Sequence, residues 1–332
     1  MRRVEVALPA NPYPVLIGSD ALRQLGAFLT GTAVVIADAA VPRLPELDLP
    51  TIAIEGGEGA KTMAGLESLL GSLEAHRVGR DGTVVAVGGG TVGDLAGFAA
   101  SIWLRGVALV QIPTTLLAMV DSAIGGKTGV NTASAKNAIG AFWQPRAVLA
   151  DMRYLESLPA EQVEGGWAEI VKYAMTLDPG IAELEDLDAI VERCVRCKAT
   201  VVAADEREAG PREVLNYGHT VGHAIEAASG YTIHHGRAVA AGMRAAVRIS
   251  AAIGLCDRAL VDAQDELLSR HGLPGELPPL GVEEVLAATS GDKKARAGKG
   301  RWVLLRGMGK AETGHEVPDA AVREAVTEIL GA

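Results

Sequence analysis

Short runs that are apolar at every position alternate with stretches of helical period through the first half of the chain. Residues 33–37, 51–54, 83–87, 107–112 and 147–150 are dominated by Val, Ile, Leu and Ala on consecutive positions, the pattern of strands buried on both faces of a parallel sheet. Between them, segments around 20–30, 61–76, 93–103 and 115–122 read as helices, the second with Met63, Leu66, Leu69, Leu70 and Leu73 on one face. This alternation predicts an open α/β sheet. The N-terminus reads as a further strand through Val4, Val6 and Leu8, with no apolar core of roughly 7–15 residues that would mark a secretory leader. From about residue 155 helical periodicity dominates, over 160–175, 187–204, 213–228, 237–253, 257–271 and 318–330, broken by one expected hairpin across 301–309. Two domains follow, residues 1–155 and 156–332, with Pro159 near the boundary.

Composition narrows the class. With 48% apolar and 22% charged residues and no low-complexity tract, the chain is not disordered. No uninterrupted apolar run approaches the roughly 18 residues of a membrane span, so no membrane partner is expected. The balance of 31 basic against 41 acidic residues, net −10, argues against a nucleic-acid partner. Three cysteines do not make a disulfide framework, and Cys194 and Cys197 read as a core or surface thiol pair on a helix. A cytosolic location is expected. Nine of the 31 cations are lysines and the rest arginines, so the positions that stay Lys are candidates for work that needs a compact ammonium.

Gly88-Gly89-Gly90-Thr91-Val92-Gly93-Asp94 follows a strand and opens a helix, where backbone N–H groups and the helix N-terminus can meet a pyrophosphate. The offsets of Gly88, Gly90 and Gly93 match a dinucleotide fingerprint, a weak signal that a tight strand-to-helix turn also produces. Asp38 ends an earlier strand, where a carboxylate can accept from ribose hydroxyls, and Glu58 and Lys61 follow the next one. Solvated strand-end residues would look the same. Denser is the stretch with Thr114, Thr115, Asp121 and Gly125-Gly126-Lys127, followed by Lys136-Asn137. A flexible glycine turn that sets Lys127 beside Lys136 and Asn137 would suit a phosphate or carboxylate.

Downstream, Glu169 and Lys172 fall at i, i+3 on one helical face, by itself an ordinary ion pair. His219 and His223 fall at i, i+4, and His234-His235 follow, so four of the seven histidines lie within seventeen residues. One carboxylate with two imidazoles makes an open divalent metal site, leaving four histidines for two ligand posts. Asp205, Glu208 and Arg212 just upstream, and Asp292-Lys293-Lys294 further on, are charged candidates to close such a site.

Taken in order, the block 88–145 (GGGTVGDLAGF, LRG, PTTLLAMVDSAIGGKTGVN, KNAIGAFWQP), AEIVKYA and NYGHTVGHAIE resemble the 3-dehydroquinate synthase branch of the sugar-phosphate cyclase family, over almost the whole chain. The resemblance implies an α/β fold, with a Rossmann-like NAD-binding N-terminal domain followed by a mostly α-helical metal-binding domain, in a cytosolic homodimer. It implies a shikimate-pathway lyase converting 3-deoxy-D-arabino-heptulosonate 7-phosphate to 3-dehydroquinate and phosphate through transient oxidation, phosphate elimination, re-reduction and aldol closure. Carried over, the metal ligands fall on Glu169, His219 and His235, for zinc or cobalt, which an oxygen-and-imidazole set accepts alike. His223 is left as a proton-handling group. NAD contacts fall on Asp38, Glu58, Lys61, Gly89, Gly90, Asp94, Thr114, Thr115 and Asp121, with Lys127 and Lys136 adjoining. Substrate contacts fall on Lys127, Lys136, Asn137, Lys172, Lys198, Arg212, Asn216 and Lys293 or Lys294, with Asp121, Glu208 and His223 nearby. Arg105 matches an arginine that reaches the neighbouring subunit's site. Seven of the nine lysines fall in these segments. The chain departs from the family where His235-Gly236-Arg237 replaces the common His-Gly-Glu, which puts in doubt the charge beside a ligand.

Other readings follow different chemistry. Sibling cyclases such as inosose or valiolone synthases need no carboxylate clamp of the kind Lys198, Arg212 and Asn216 offer, whereas an amino-dehydroquinate synthase would need the same one. A metal-dependent NAD alcohol or glycerol dehydrogenase leaves the anion-binding lysines without a purpose. A non-catalytic NAD-binding module does not require the intact ligand set.

Overall fold

The computed structural model describes residues 1–42, 47–133, 135–275, 277–295 and 302–331, with the backbone alone over 290–295. In chain order the first elements are β1 (Arg2–Val6), β2 (Tyr13–Ile17), β3 (Ala33–Asp38), β4 (Thr51–Ile54), α1 (Met63–Ala75), β5 (Thr83–Gly88) and α2 (Gly90–Ile102). Next come β6 (Ala108–Pro113), β7 (Lys127–Val130), β8 (Ile139–Phe142), β9 (Ala147–Ala150), α3 (Ala160–Thr176) and α4 (Leu187–Ala204). The last are α5 (His219–Ala228), α6 (His235–Ala252), α7 (Arg258–Arg270), α8 (Val282–Ala295), β10 (Trp302–Gly307), β11 (Lys310–His315) and α9 (Asp319–Leu330).

The chain forms two compact units, Met1–Pro159 with Asp186–Arg207, and Ala160–Glu185 with Glu208–Ala332. The division expected between residues 155 and 156 thus falls just after Pro159, and α4, expected in the second domain, belongs to the first. The reason is packing and charge. One face of α4 lies against β1, β2 and the 118–122 turn, and Arg2 of β1 pairs with Asp186 and Glu192 at 2.8 and 2.7 Å.

A seven-stranded sheet, ordered β1-β2-β9-β6-β5-β3-β4, forms the first unit; only the β1–β2 pair is antiparallel. Every residue of β5 and β9 is buried, as their unbroken apolar runs require. Strand β2 escapes the sequence pattern because of Pro14. Its pairing with β9 starts at Val15, so the missing N–H costs no parallel ladder bond. From β3 the chain moves outward to β4, and from β5 it moves the opposite way to β6, making β3 and β5 the topological switch point. Their carboxyl ends, at Asp38 and Gly88, border the crevice where such sheets bind ligands. The expected helices at 20–30 and 115–122 are a 3₁₀ segment, Ala21–Phe28, and a π turn, Ala118–Ser122. Leu66, Leu69 and Leu73 are buried, while Met63, at the first turn of α1, is half-exposed.

In the second unit α6 is the central element, packed by α3, α5, α7, α9 and β10. Its crossings are close because the residues there are glycines: a Cβ on Gly236 would lie 2.3 Å from Gly165 Cα, and one on Gly242 2.0 Å from the Gly218 carbonyl oxygen. The expected helix over 213–228 is broken. A 3₁₀ turn, Pro211–Asn216, leads to Gly218 at φ +80°, and α5 starts afresh at His219. Helix α8, with Gly291 inside it and few apolar positions, left no periodic signal.

Gly242→Ala is expected to destabilise the protein by about 1–3 kcal/mol through overpacking. Gly71→Ala, exposed within α1 with open space around it, should stabilise it by about 0.4–1 kcal/mol. Denaturant unfolding of both variants checks the pair.

Candidate functional site

At the switch point of the first unit, Gly89 caps α2 and leaves the helix N-terminus open. A Cβ on Gly89 would lie 3.1 Å from Thr115 Cγ2 and one on Gly90 2.9 Å from Ser122 Oγ, so the glycine turn packs directly on the segment after β6. That segment is fixed in turn: the Thr114 N–H donates to the Gly88 carbonyl at 3.0 Å, and Thr115 Oγ1 accepts from the Ala118 N–H at 3.2 Å. Asp38 lines a cavity of about 150 Å³ with Ala37, Ala53 and Val87. Its carboxylate is 2.0 Å from where a Cβ on Gly56 would stand, so any side chain there would displace the carboxylate.

Lys61 is buried and its ammonium contacts both the Asp94 carboxylate and Asn137 Oδ1. The Asn137 N–H donates to Asn131 Oδ1 at 2.8 Å, and Asn131 Nδ2 donates to Glu58 Oε2 at 2.7 Å. Four of the expected contact residues, Glu58, Lys61, Asp94 and Asn137, are therefore one network. Burial raises the Asp94 carboxyl above the ordinary range, against the opposing pull of Lys61. Lys198, also buried, donates to the Asp121 carbonyl at 2.6 Å and to its carboxylate at 2.7 Å.

A hairpin, rather than a single turn, separates the backbone of Lys127 from that of Lys136 and Asn137. Residues 127–142 make a hairpin in which Lys127 opposes Phe142 and Val130 opposes Ile139. Lys136 and Asn137 lie in the turn beyond Val130, so the length of β7, roughly 10 Å, stands between them and Lys127. Gly125 and Gly126 do form a turn, at φ 93° and 68°, but it leads directly into the paired strand β7. Arg105 is exposed and held at φ 72°, between Leu104 at 50° and Gly106 at 121°. Two successive non-glycine residues at positive φ, Leu104 and Arg105, are costly, and such strain concentrates at functional positions.

The second unit gathers the imidazoles. Glu169 Oε1 on α3 lies 3.5 Å from His219 Nε2 and 3.6 Å from His235 Nε2, the first residues of α5 and α6. A tetrahedral ion with ligand bonds of about 2.0–2.2 Å spaces its ligands roughly 3.3–3.6 Å apart, so this donor set fits a divalent metal. Each remaining donor atom is occupied elsewhere. Glu169 Oε2 carries the Lys172 ammonium, His219 Nδ1 faces the Tyr217 carbonyl at 3.1 Å, and His235 Nδ1 faces Glu226 Oε2 at 3.5 Å. His223 is exposed, its ring 5.3 Å from that of His219 and 6.2 Å from that of His235. His234 instead pairs with Glu161 at 3.0 Å. Geometry thus sorts the four histidines.

Arg212 is buried and Asn216 half-buried in the 3₁₀ turn before α5, and Glu208 sits just upstream at φ 57°. The side chains of Lys293 and Lys294, on α8, lie outside the described residues. Arg237 points to Glu164, with Nε 2.9 Å from its carboxylate. Sequence reasoning missed Glu226 and Tyr217. Glu226 was legible in principle, since His219, His223 and Glu226 recur at the i, i+4, i+7 spacing of one helix face.

This geometry and fold define the sugar-phosphate cyclase class. A 2-deoxy-scyllo-inosose synthase solved with carbaglucose-6-phosphate, NAD+ and Co2+ superposes with a TM-score of 0.90 at 28% identity, covering 98% of this chain and 99% of that one. The 2-epi-5-epi-valiolone synthase ValA from Streptomyces hygroscopicus subsp. jinggangensis 5008, with NAD+ and Zn2+ bound, gives 0.88 at 26% identity over 98% of both chains. Residues 51–165 match the family model described as 3-dehydroquinate synthase N-terminal, and residues 166–295 the C-terminal one. The 3-dehydroquinate synthase of Synechocystis sp. is 44% identical over 295 residues, 84% of this chain and 81% of that one. The chain belongs to the 3-dehydroquinate synthase family and is an enzyme of that family.

Burial pulls His219 down to about 3. Burial also opposes charge on His235, but hydrogen bonds and charges from Glu169 and Glu226 overcome it and raise it to about 9. Near pH 7 the metal-free set therefore holds one imidazolium, on His235. A divalent ion must displace that proton, so raising the pH favours binding. Zinc affinity, measured against a chromophoric chelator, is expected to rise about tenfold per pH unit from pH 7 and to level off near the about 9 of His235.

Proposed function

We propose that this enzyme converts 3-deoxy-D-arabino-heptulosonate 7-phosphate to 3-dehydroquinate and phosphate, using NAD and one divalent ion, zinc or cobalt. The observation that carries the reading is the Glu169, His219 and His235 donor set in a chain 44% identical to a 3-dehydroquinate synthase. The neighbours with inosose and valiolone synthase names stand at 28% and 26% identity, which favours the heptulosonate acid as substrate over theirs.

When bound, NAD supplies a reversible oxidant and the ion a Lewis acid for the substrate's hydroxyl and carbonyl oxygens. Glu169, His219 and His235 would hold the ion, and Lys172 pairs with the Glu169 carboxylate at its other oxygen and keeps it aimed. Gly89 and Gly90 leave the α2 N-terminus open to the NAD pyrophosphate. Asp38 receives ribose hydroxyls beside its cavity. Glu58, Lys61, Asp94, Thr114, Thr115 and Asp121 complete the cofactor contacts. Lys127, Lys136, Asn137, Lys172, Lys198, Arg212, Asn216 and Lys293 or Lys294 hold the substrate's anionic and hydroxyl groups, with Glu208 beside them. Fixing those groups orders the substrate for phosphate departure, and its own phosphate accepts the adjacent C6 proton. His223 relays the C5 hydroxyl proton through its ring nitrogen.

The enzyme acts as a cytosolic homodimer in which Arg105 serves the neighbouring subunit's site. Exposed Ile102 and Leu104 at the end of α2, with Ile139 and Phe142 on the β8 strand packed against that helix, support this association. Among the described residues no helix is long and apolar enough to cross a membrane.

Metal-loaded protein should release phosphate from the heptulosonate phosphate only when NAD is present, and no NADH should accumulate. Steady NADH formation with simple polyols would point to a dehydrogenase instead. His223→Ala should lower kcat by about 10²-fold or more in the same assay, and unchanged turnover would remove His223 from the proton relay.

A further inference from the structure

We propose that Glu226 is a positioning residue for the metal centre, holding His235 by its Nδ1 so that Nε2 faces Glu169 and His219. The inference rests on the metal reading given above and concerns a residue which that reading does not use. Glu226 is nearly fully buried on α5, two helical turns after His219 on the same helix. Its Oε2 lies 3.5 Å from His235 Nδ1, while the Nε2 atom of the same ring lies 3.6 Å from Glu169 Oε1. A five-membered ring gripped by an acceptor at one nitrogen can present only the other nitrogen to an ion, and an anionic acceptor also raises its basicity. His219 is held in the same way by the Tyr217 carbonyl at its Nδ1. In the neutral form that binds an ion, both imidazoles are therefore set in the tautomer that frees Nε2, one by a neutral acceptor and one by a charged one.

Arg237, two residues beyond His235, does not compete for this carboxylate. Its guanidinium is tied to Glu164 on α3, at 2.9 Å through Nε and 2.8 Å through a terminal nitrogen. The charged group two residues from His235 is thus neutralised by Glu164 on α3, and the anion that reaches Nδ1 of the ring comes from α5. Glu226 also lies within ligand reach of His223, so Glu226, His223 and His235 make a second group that could itself hold an ion. Positioning and ligation predict different stoichiometries.

The test is equilibrium metal binding by purified, metal-stripped protein, with zinc affinity read by chelator competition and the ligand field by the visible spectrum of the cobalt form. Wild type should bind one ion per chain. Glu226→Gln, which keeps an acceptor oxygen but no charge, should raise Kd about tenfold. Glu226→Leu, which removes both, should raise it about 100-fold, and the cobalt spectrum should shift in the same order. Arg237→Gln should stay within about twofold of wild type. Circular dichroism of the stripped proteins reports folding, and should the Leu variant not fold, the isosteric Gln variant carries the test. Unchanged affinity and spectrum in Glu226→Gln would overturn the proposal. So would a wild type with two ions that drops to one in that variant, which would make Glu226 a ligand. A wild type that takes up no ion would defeat the metal reading itself, a result separate from either of these.

Discussion

A carboxylate with 1% of its side-chain surface exposed must be matched on every side, because an unpaired buried charge costs several kcal/mol. Glu169 is matched by the Lys172 ammonium at one oxygen and by two imidazole edges at the other. That division of labour decides the chemistry. The lysine pairs with the carboxylate at Oε2, so Oε1 is the atom left to join Nε2 of His219 and His235 as a third donor. A buried ion pair contributes little to stability for its own sake, since desolvation offsets most of the attraction. Its value here is orientation. The remaining constraints in the second unit serve to bring two other helices to this one oxygen.

They do so by removing side chains rather than adding contacts. The start of α6 approaches α3 where Gly236 meets Gly165, and its middle approaches the start of α5 where Gly242 meets Gly218. Without those glycines the helix axes would stand further apart and the two histidines would leave ligand range of Glu169. Gly218 contributes a second effect: its left-handed backbone ends the preceding turn and restarts the helix, so that His219 is a first helical residue with its Nδ1 beside the Tyr217 carbonyl. In the first unit the analogous constraint is topological. The reversal between β3 and β5 leaves a crevice at their carboxyl ends, and the residues that border it, Asp38 and the Gly88–Gly90 turn, are small or acidic where a nucleotide would need them.

How much of this is legible in the sequence depends on whether a feature is periodic. Five of the six strands in parallel pairing, β3, β4, β5, β6 and β9, read directly from their unbroken apolar runs, and the bounds of α4 match its helical period to the residue. Its unit was not legible, since helical period says which face is buried but not against what. Strand β2 was hidden by Pro14, and the β7–β8 hairpin by glycines that usually signal flexible turns. The donor residues were legible as a cluster of uncommon side chains, yet their selection was not. His234 and His235 are adjacent in sequence and differ only in where the helix begins, which sends one to Glu161 and the other to Glu169. Glu226 was passed over because it looks like any helical glutamate until the ring it faces is known to matter.

The lysine count carries a further physical argument. In a chain that writes arginine more than twice as often as lysine, Lys61, Lys172 and Lys198 are all buried, and each has a carboxylate as partner, on Asp94, Glu169 and Asp121 respectively. An ammonium is a single compact donor centre that can serve one carboxylate and a second acceptor at once, as Lys61 does with Asp94 and Asn137. A guanidinium would spread the same charge over a planar fork and demand a wider space. Lys127, Lys136 and Lys310 are exposed, so burial alone does not explain the choice of lysine everywhere. It does explain why composition could point to Lys61, Lys172 and Lys198. Where packing leaves room for one charged atom and no more, the side chain that ends in one atom is retained.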